Sequence, residues 1–228
     1  MDFKMKEKKK KGKLRENVES FAVAILIALF LRAFVVQAYK IPSGSMENTL
    51  LIGDYLLVTR LNYGIKIPLT DIYIVRWAKP KRGDIIVFRW PKDHSKDFIK
   101  RVIGVEGDKI LIEGKKVYVN GEPLDEPYAN FTDIFIYPKD HYNPGRQFFC
   151  PSALISCNRD YYGPIIVPKG KVFVMGDNRD NSNDSRYWGF VDLNEIQGKA
   201  FIIYFSWDSN SKDIFHKIRW RRLGRLIR

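Results

Sequence analysis

The sequence predicts a mainly β protein on an N-terminal transmembrane helix: an antiparallel β core with a second β lobe inserted into it. Three observations predict it. An unbroken apolar run, FAVAILIALFL (21–31), follows a lysine-rich start. After Tyr39 the chain consists of short β-branched and aromatic runs punctuated by Gly, Asn and Pro, with no further long amphipathic helical period. The net charge of +13 sits at the two ends: residues 1–15 carry eight Lys/Arg against two acids, residues 212–228 carry seven against one, and the body between is close to neutral.

The N-terminal element comes first. From Phe21 to Tyr39 the chain would span about 28 Å as a helix, close to the thickness of a bilayer's hydrocarbon core. Arg32 falls in the last half of that span, where its side chain can reach outward. This predicts a basic cytoplasmic tail over 1–16 and an anchor over 17–38, with positive charge holding the N-terminus inside and all that follows Tyr39 outside. A removable secretory leader ending at Val36-Gln37-Ala38 is the competing interpretation. Charge confined to the two ends suits an anionic membrane surface, with no nucleic-acid groove expected. The basic C-terminal tail, 212–228, is expected either to touch lipid headgroups or to be solvated.

The strands follow in order. GDYLLVTRL (53–61), GDIIVFRW (83–90), DFIKRVIGV (97–105) and KILIEGKKVYVNG (109–121) have strand composition, the last with turns at Gly114 and Asn120-Gly121. Residues 122–168 are irregular and aromatic, and strand character returns at GKVFVMGD (170–177) and KAFIIYFSW (199–207). The expected division is a core over 39–105 and 171–211 and a second β lobe over 106–170. Cys150 and Cys157 fall in the exported part, where a disulfide between them is plausible; their spacing fits neither a redox pair nor zinc, and no metal site or cofactor is expected.

Chemistry enters with KIPSGSMENTL (40–50), where Ser43 and Ser45 flank Gly44 just beyond the apolar run. A serine nucleophile needs a base, and the chain's three histidines, His94, His141 and His216, are remote in sequence. The other base available to serine is a neutral lysine. Neutralising a lysine at pH 7 costs about 4.6 kcal/mol, which burial in apolar surroundings supplies. Lys100 is set in such a strand: FIKRVIG places Phe98, Lys100 and Val102 on one face, with Arg101 looking out beside Ile99 and Ile103. A third segment, GDNRDNSNDSRYWGFV (176–191), is dense in turn and hydrogen-bonding residues, with Ser182 able to orient an amine and Asp184 and Arg186 able to pair; an Asx-rich surface turn is the competing interpretation.

Taken together, IPSGSM, GDYLLVTRLNYGIKIP, KRGDIIVF, DFIKRVIGVEGDKI and GDNRDNSNDSRYWGFV, in this order behind an anchor, resemble the bacterial type I signal peptidases over residues 32 to 207. The resemblance implies a membrane-bound serine endopeptidase with a Ser/Lys dyad, Ser45 as nucleophile and Lys100 as general base. It implies an oxyanion hole from the Ser43 hydroxyl and the Ser45 N–H, Ser182 orienting the lysine, and Asp184 with Arg186 as a supporting pair. Pockets for small substrate residues at −1 and −3 would be lined by Ile41, Pro42, Met46, Leu50, Phe98 and Ile99. The implied substrates are signal peptides of exported preproteins, and the implied location is the bacterial inner membrane, single-pass, with the catalytic domain on the periplasmic side. Three alternatives stay open on the residues alone: a hydrolase using His94 or His141, a related Ser/Lys peptidase that cuts itself or a regulator, and an anchored β-domain that only binds partners.

Overall fold

A computed structural model describes residues 13–67, 70, 72–138, 158–211, 213 and 217–227. Along the chain these form α1 (Lys13–Phe34), β1 (Val36–Lys40), β2 (Asp54–Thr59), β3 (Gly64–Lys66), β4 (Tyr73–Arg76), β5 (Ile85–Trp90) and β6 (Asp93–Gly104). There follow β7 (Lys109–Glu113), β8 (Lys116–Val119), β9 (Glu122–Pro123), β10 (Tyr162–Ile166), β11 (Lys171–Met175), α2 (Ser185–Trp188), β12 (Val191–Asp192), β13 (Ile196–Ser206) and β14 (Arg225–Leu226).

The main sheet runs β1-β2-β13-β5-β6-β11-β12, with β14 also beside β13. Its pairings are antiparallel. The β5 run IIVF explains its centre: Ile85 and Val87 join Leu56, Val58, Met46 and Leu50 on one face, while Ile86 and Phe88 join Val102, Val174 and Trp188 on the other. Over its second half, residues 100–104, neighbouring β6 is buried on both faces, so a side chain there has no wet side to turn to. Arg101 accordingly does not look out, as alternation predicted; it is only 2% exposed.

A second sheet, β10-β7-β8-β9, turns Ile110, Ile112, Val117 and Val119 onto Ile103, Phe173 and Met175 of β6 and β11. Its β7–β8 hairpin closes through Gly114 and Lys115, at φ of 55° and 72°, the left-handed pair that a two-residue turn requires. Asn130 pairs with Asn178, bringing the start of the irregular segment against the 176–191 loop.

Two ends differ from expectation. Helix α1 stops at Phe34, and residues 36–38, assigned above to the anchor, are strand: Val36, Gln37 and Ala38 pair with Thr59, Val58 and Leu57. Among the described residues no helix is long and apolar enough to cross a membrane. The C-terminal stretch is not a bare tail either, because Arg222 is buried in an ion pair with the fully buried Asp54, and Ile227 joins the core beside Met46 and Leu50. A buried carboxylate needs partners; Ser206 and the Leu51 N–H donate to Asp54, and its counter-charge comes from Arg222 in the distant C-terminal segment. Cys150, Cys157, His141 and His216 lie outside the described residues.

Candidate active site

Three segments far apart in sequence meet around Lys100 on β6, inside the main sheet. The first is the turn after β1, where Gly44–Met46 form a single 3-10 turn following Ser43 in extended conformation. Met46 and Leu50 are fully buried beneath it and Ile41 nearly so, which ties the turn to the core. The pair of serines is thereby left at the surface of the packed sheet, with Ser45 at 9% exposure and Ser43 exposed.

The second segment is β6. Lys100 Nζ lies 2.7 Å from Ser45 Oγ, across 55 residues of sequence, and donates to the Ile99 carbonyl at 2.8 Å. The amine is 4% exposed and sits 5.5 Å from the centre of the Phe98 ring. Burial pulls its pKa from 10.5 down to about 8, against the opposing charges of Asp184 and Asp177. At neutral pH a usable fraction of Lys100 is therefore the free amine, which can take a proton from a hydroxyl in contact with it.

The third segment is the loop from Gly176 through α2. Asn178 N–H donates to the Ser45 carbonyl at 3.1 Å and its side-chain amide to the Gly44 carbonyl at 3.2 Å, so this loop holds the serine turn by its backbone. Asp184 caps α2, accepts from the Gly176 N–H at 3.1 Å, and takes a two-pronged contact from Arg186, Nε and Nη2 both at 2.9 Å. Burial alone would raise the Asp184 carboxyl, but Arg186 holds it below the ordinary carboxylate range. Arg186 also bridges the carbonyls of Arg159 and Arg179, tying this loop to the chain leading into the second sheet. Ser182 is 5% exposed and lies beside the Asp184 carboxylate, with no well-formed hydrogen bond among the described residues; Lys100 spends its contacts on Ser45 and Ile99 instead.

A cleft of about 430 Å³ opens over the Ser45–Lys100 pair. Pro42, Phe98 and Ile99 line it as expected, but Ile41, Met46 and Leu50 do not: they are the buried support of the turn. Asp97, Asn181 and Asn183 line it without having been singled out from the sequence. Sequence reasoning also missed the ion pair beneath the dyad, in which Arg101 Nε and Nη2 reach Asp177 at 2.9 and 2.7 Å, and Thr49 Oγ1 donates to the same carboxylate. The adjacency of Arg101 to Lys100, and of Asp177 to Gly176, was the available signal. His94 is 56% exposed and contacts Glu195 at 3.1 Å, away from Ser45.

An amine with a lowered pKa touching a serine hydroxyl, in a cleft with further donors, is equipped for acyl transfer. Comparison with known proteins agrees. The model of the family described as signal peptidase, peptidase S26, matches residues 14–207. Signal peptidase I of Pseudomonas fluorescens is 38% identical over 210 residues, covering 85% of this chain and 73% of that protein. Signal peptidase I of Aquifex aeolicus is 37% identical over 231 residues, covering 85% of each, and that of Buchnera aphidicola from Acyrthosiphon pisum 34% over 265, covering 97% of this chain and 84% of its own. The chain belongs to the signal peptidase family, peptidase S26, and is a serine endopeptidase.

Proposed function

We propose that this signal peptidase removes signal peptides from exported preproteins after small-x-small sites, with Ser45 as nucleophile and Lys100 as general base. The observation that carries the reading is the 2.7 Å approach of a buried amine to a serine hydroxyl. Neutral Lys100 takes the Ser45 proton as Oγ attacks the scissile carbonyl carbon. The displaced electron pair collects on the carbonyl oxygen, where the Ser43 hydroxyl and Ser45 N–H donate to it; one such donor is worth about 2.7–4 kcal/mol of barrier. Collapse breaks the C–N bond, the leaving amine takes the proton back from Lys100, and the acyl group stays on Ser45. Lys100 then deprotonates a water that attacks the ester, and Ser45 leaves with the returned proton. The Ile99 carbonyl, holding one N–H of the amine, helps aim the lone pair at Ser45. Pro42, Phe98 and Ile99 are assigned to the walls around the small substrate residues, and Asp184 with Arg186 to holding the Ser182 loop against the dyad.

Two features support a membrane location: the exposed apolar side chains of α1 and an apolar hairpin. Around α1, Phe21, Leu26, Ile27 and Phe30 are exposed on several faces, a pattern that a helix in water does not sustain. The β3–β4 region likewise exposes Ile72, Ile74, Val75 and Trp77. No helix among the described residues is by itself long and apolar enough to cross a membrane; on its exposed apolar side chains we assign α1 as the core of a single-pass anchor in the bacterial inner membrane, with the N-terminus cytoplasmic, the catalytic domain on the periplasmic side, and the hairpin in contact with membrane lipid. A protease-protection assay in inverted membrane vesicles checks the orientation: epitope tags on the N-terminus and on the body should be digested and protected, respectively.

The function is tested by incubating the membrane-embedded protein with a preprotein and sequencing the new N-terminus. Cleavage directly after the small residue at −1 of a small-x-small site is expected, together with its loss when the −1 residue is replaced by Trp; cleavage that tolerates Trp would overturn the site preference. A further variant tests the packing of the serine loop. A Cβ on Gly176 would stand 2.3 Å from Ser182 Oγ and 2.4 Å from the Ser45 carbonyl oxygen, nearer than any real contact. Gly176→Ala is therefore expected to displace the nucleophile and lower kcat by about 100-fold, since a 1 Å misplacement is worth about that much; a kcat near the parent's would show that the loop yields freely.

A further inference from the structure

The C-terminal segment lies beyond residue 207, where the match to the family model ends, and by charge it is expected either to touch lipid headgroups or to be solvated. Its two adjacent arginines are not alike: Arg221 is exposed, whereas Arg222 is 8% exposed. Arg222 Nε donates to Asp54 Oδ1 at 2.9 Å, Nη2 contacts Oδ2, and Nη2 also donates to the Thr49 carbonyl at 2.9 Å. Asp54 Oδ2 accepts the Leu51 N–H at 2.8 Å, so the guanidinium and its carboxylate grip the backbone at both Thr49 and Leu51. These residues close the turn that begins at Ser43, and Leu50 N–H bonds back to the Met46 carbonyl at 2.8 Å. Thr49 in turn donates to Asp177, which holds Arg101, the residue next to Lys100. On the apolar side Ile227 packs in the same cluster as Met46 and Leu50.

We propose that the C-terminal segment is a strap on the nucleophile turn and that Arg222 is a positioning residue for Ser45, acting through Thr49 and Asp54. The proposal rests on the Ser45/Lys100 reading above. It separates the tail's two adjacent arginines: Arg222 faces inward and sets geometry, and the exposed Arg221 does not. Lysine at 222 keeps a charge opposite Asp54 but not the planar fork that reaches two oxygens and a carbonyl at once.

The test compares Arg222→Lys, Arg222→Met, Arg221→Met and Ser45→Ala in the full-length protein, in uncharged detergent, on a signal-peptide substrate with fluorescent readout, each with a thermal melt. Arg222→Lys is expected to fold, to keep KM within about twofold and to lower kcat about tenfold, a fraction of the 100-fold that a 1 Å misplacement brings. Arg222→Met is expected to lose more kcat or to fail to fold, either of which agrees with the strap. Arg221→Met should match the parent in both constants. A parent-like kcat in Arg222→Lys overturns the proposal, as does a loss in Arg221→Met equal to that in Arg222→Lys, which would make the effect one of tail charge. Ser45→Ala separates the two levels: if it retains turnover the dyad reading falls and this one with it, and if it is dead while Arg222→Lys is parent-like, only the strap falls.

Discussion

Replacing Lys100 by Met is expected to abolish turnover and at the same time make the protein more stable. The buried amine has a folded-state pKa of about 8 against an ordinary 10.5. Because the folded pKa lies below the unfolded one, the unfolded chain binds more protons between those values, and parental stability rises as pH climbs through that window. Below about pH 8 the parent carries the full cost, about 3 kcal/mol at 1.36 kcal/mol per pH unit; above the ordinary lysine pKa it carries none. Met fills a similar volume without a charge to desolvate. Chemical denaturation at pH 7 should therefore show Lys100→Met more stable by up to about 3 kcal/mol, the gap closing above pH 10. The kcat/KM of the parent should rise with pH along a limb near 8, as expected of a base that must lose its proton to act. Gain of stability without loss of turnover would sink the assignment of Lys100 as the base.

Arg186→Met should be among the most damaging substitutions in the protein, although Arg186 touches no substrate. It would strand a fully buried Asp184 carboxylate that now receives both arms of the guanidinium. Removing one partner of such a pair costs about 3–5 kcal/mol. Arg186 also bonds the carbonyls of Arg159 and Arg179, which the variant leaves without that donor. The pH dependence separates the charge from the packing. In the parent, Asp184 is held below the usual carboxylate range, so it contributes stability that is present above about pH 4 and lost as pH falls further. In Arg186→Met burial acts on the same carboxyl against only the Gly176 N–H and Ser182, so its pKa should move up from the parent's and the variant's deficit should shrink on mild acidification. Asp184→Asn combined with Arg186→Met is expected to recover part of the loss at pH 7; a double variant as unstable as the single one would show that packing, and not the stranded charge, is responsible.

Legibility divides by how local the cause is. Strands with β-branched runs and a left-handed turn at Gly114 follow from their own residues, and the sequence places β5, β6, β7 and β8 close to where they occur. Lys100 was conspicuous because its neighbours in the strand are apolar, and the Ser45 segment because two serines flank a glycine. Arg101 was placed on the wrong side because alternation assumes one wet face, while β6 is covered on both over its second half and feeds three clusters through Ile99, Val102 and Ile103. Ile41, Met46 and Leu50 were expected in the substrate pocket because they adjoin the serines, yet a turn stays put only if some of its side chains are buried beneath it. Residues 36–38 were assigned to the apolar N-terminal segment, but Val36, Gln37 and Ala38 have partners in β2 that hydropathy does not see.

By itself the sequence determined that this protein is β-rich behind an apolar helix, that its charge is split between its ends, and that a serine turn and a lysine in an apolar strand are its reactive pieces. Each of those is a property of a few consecutive residues. Tertiary structure alone decided that the two reactive atoms touch, that Asp177, Thr49 and Arg101 underlie them, and that Arg222 serves the interior while Arg221 faces water. Those outcomes depend on which distant segments share one low-dielectric interior, where a buried charge must find a partner wherever in the chain that partner happens to lie.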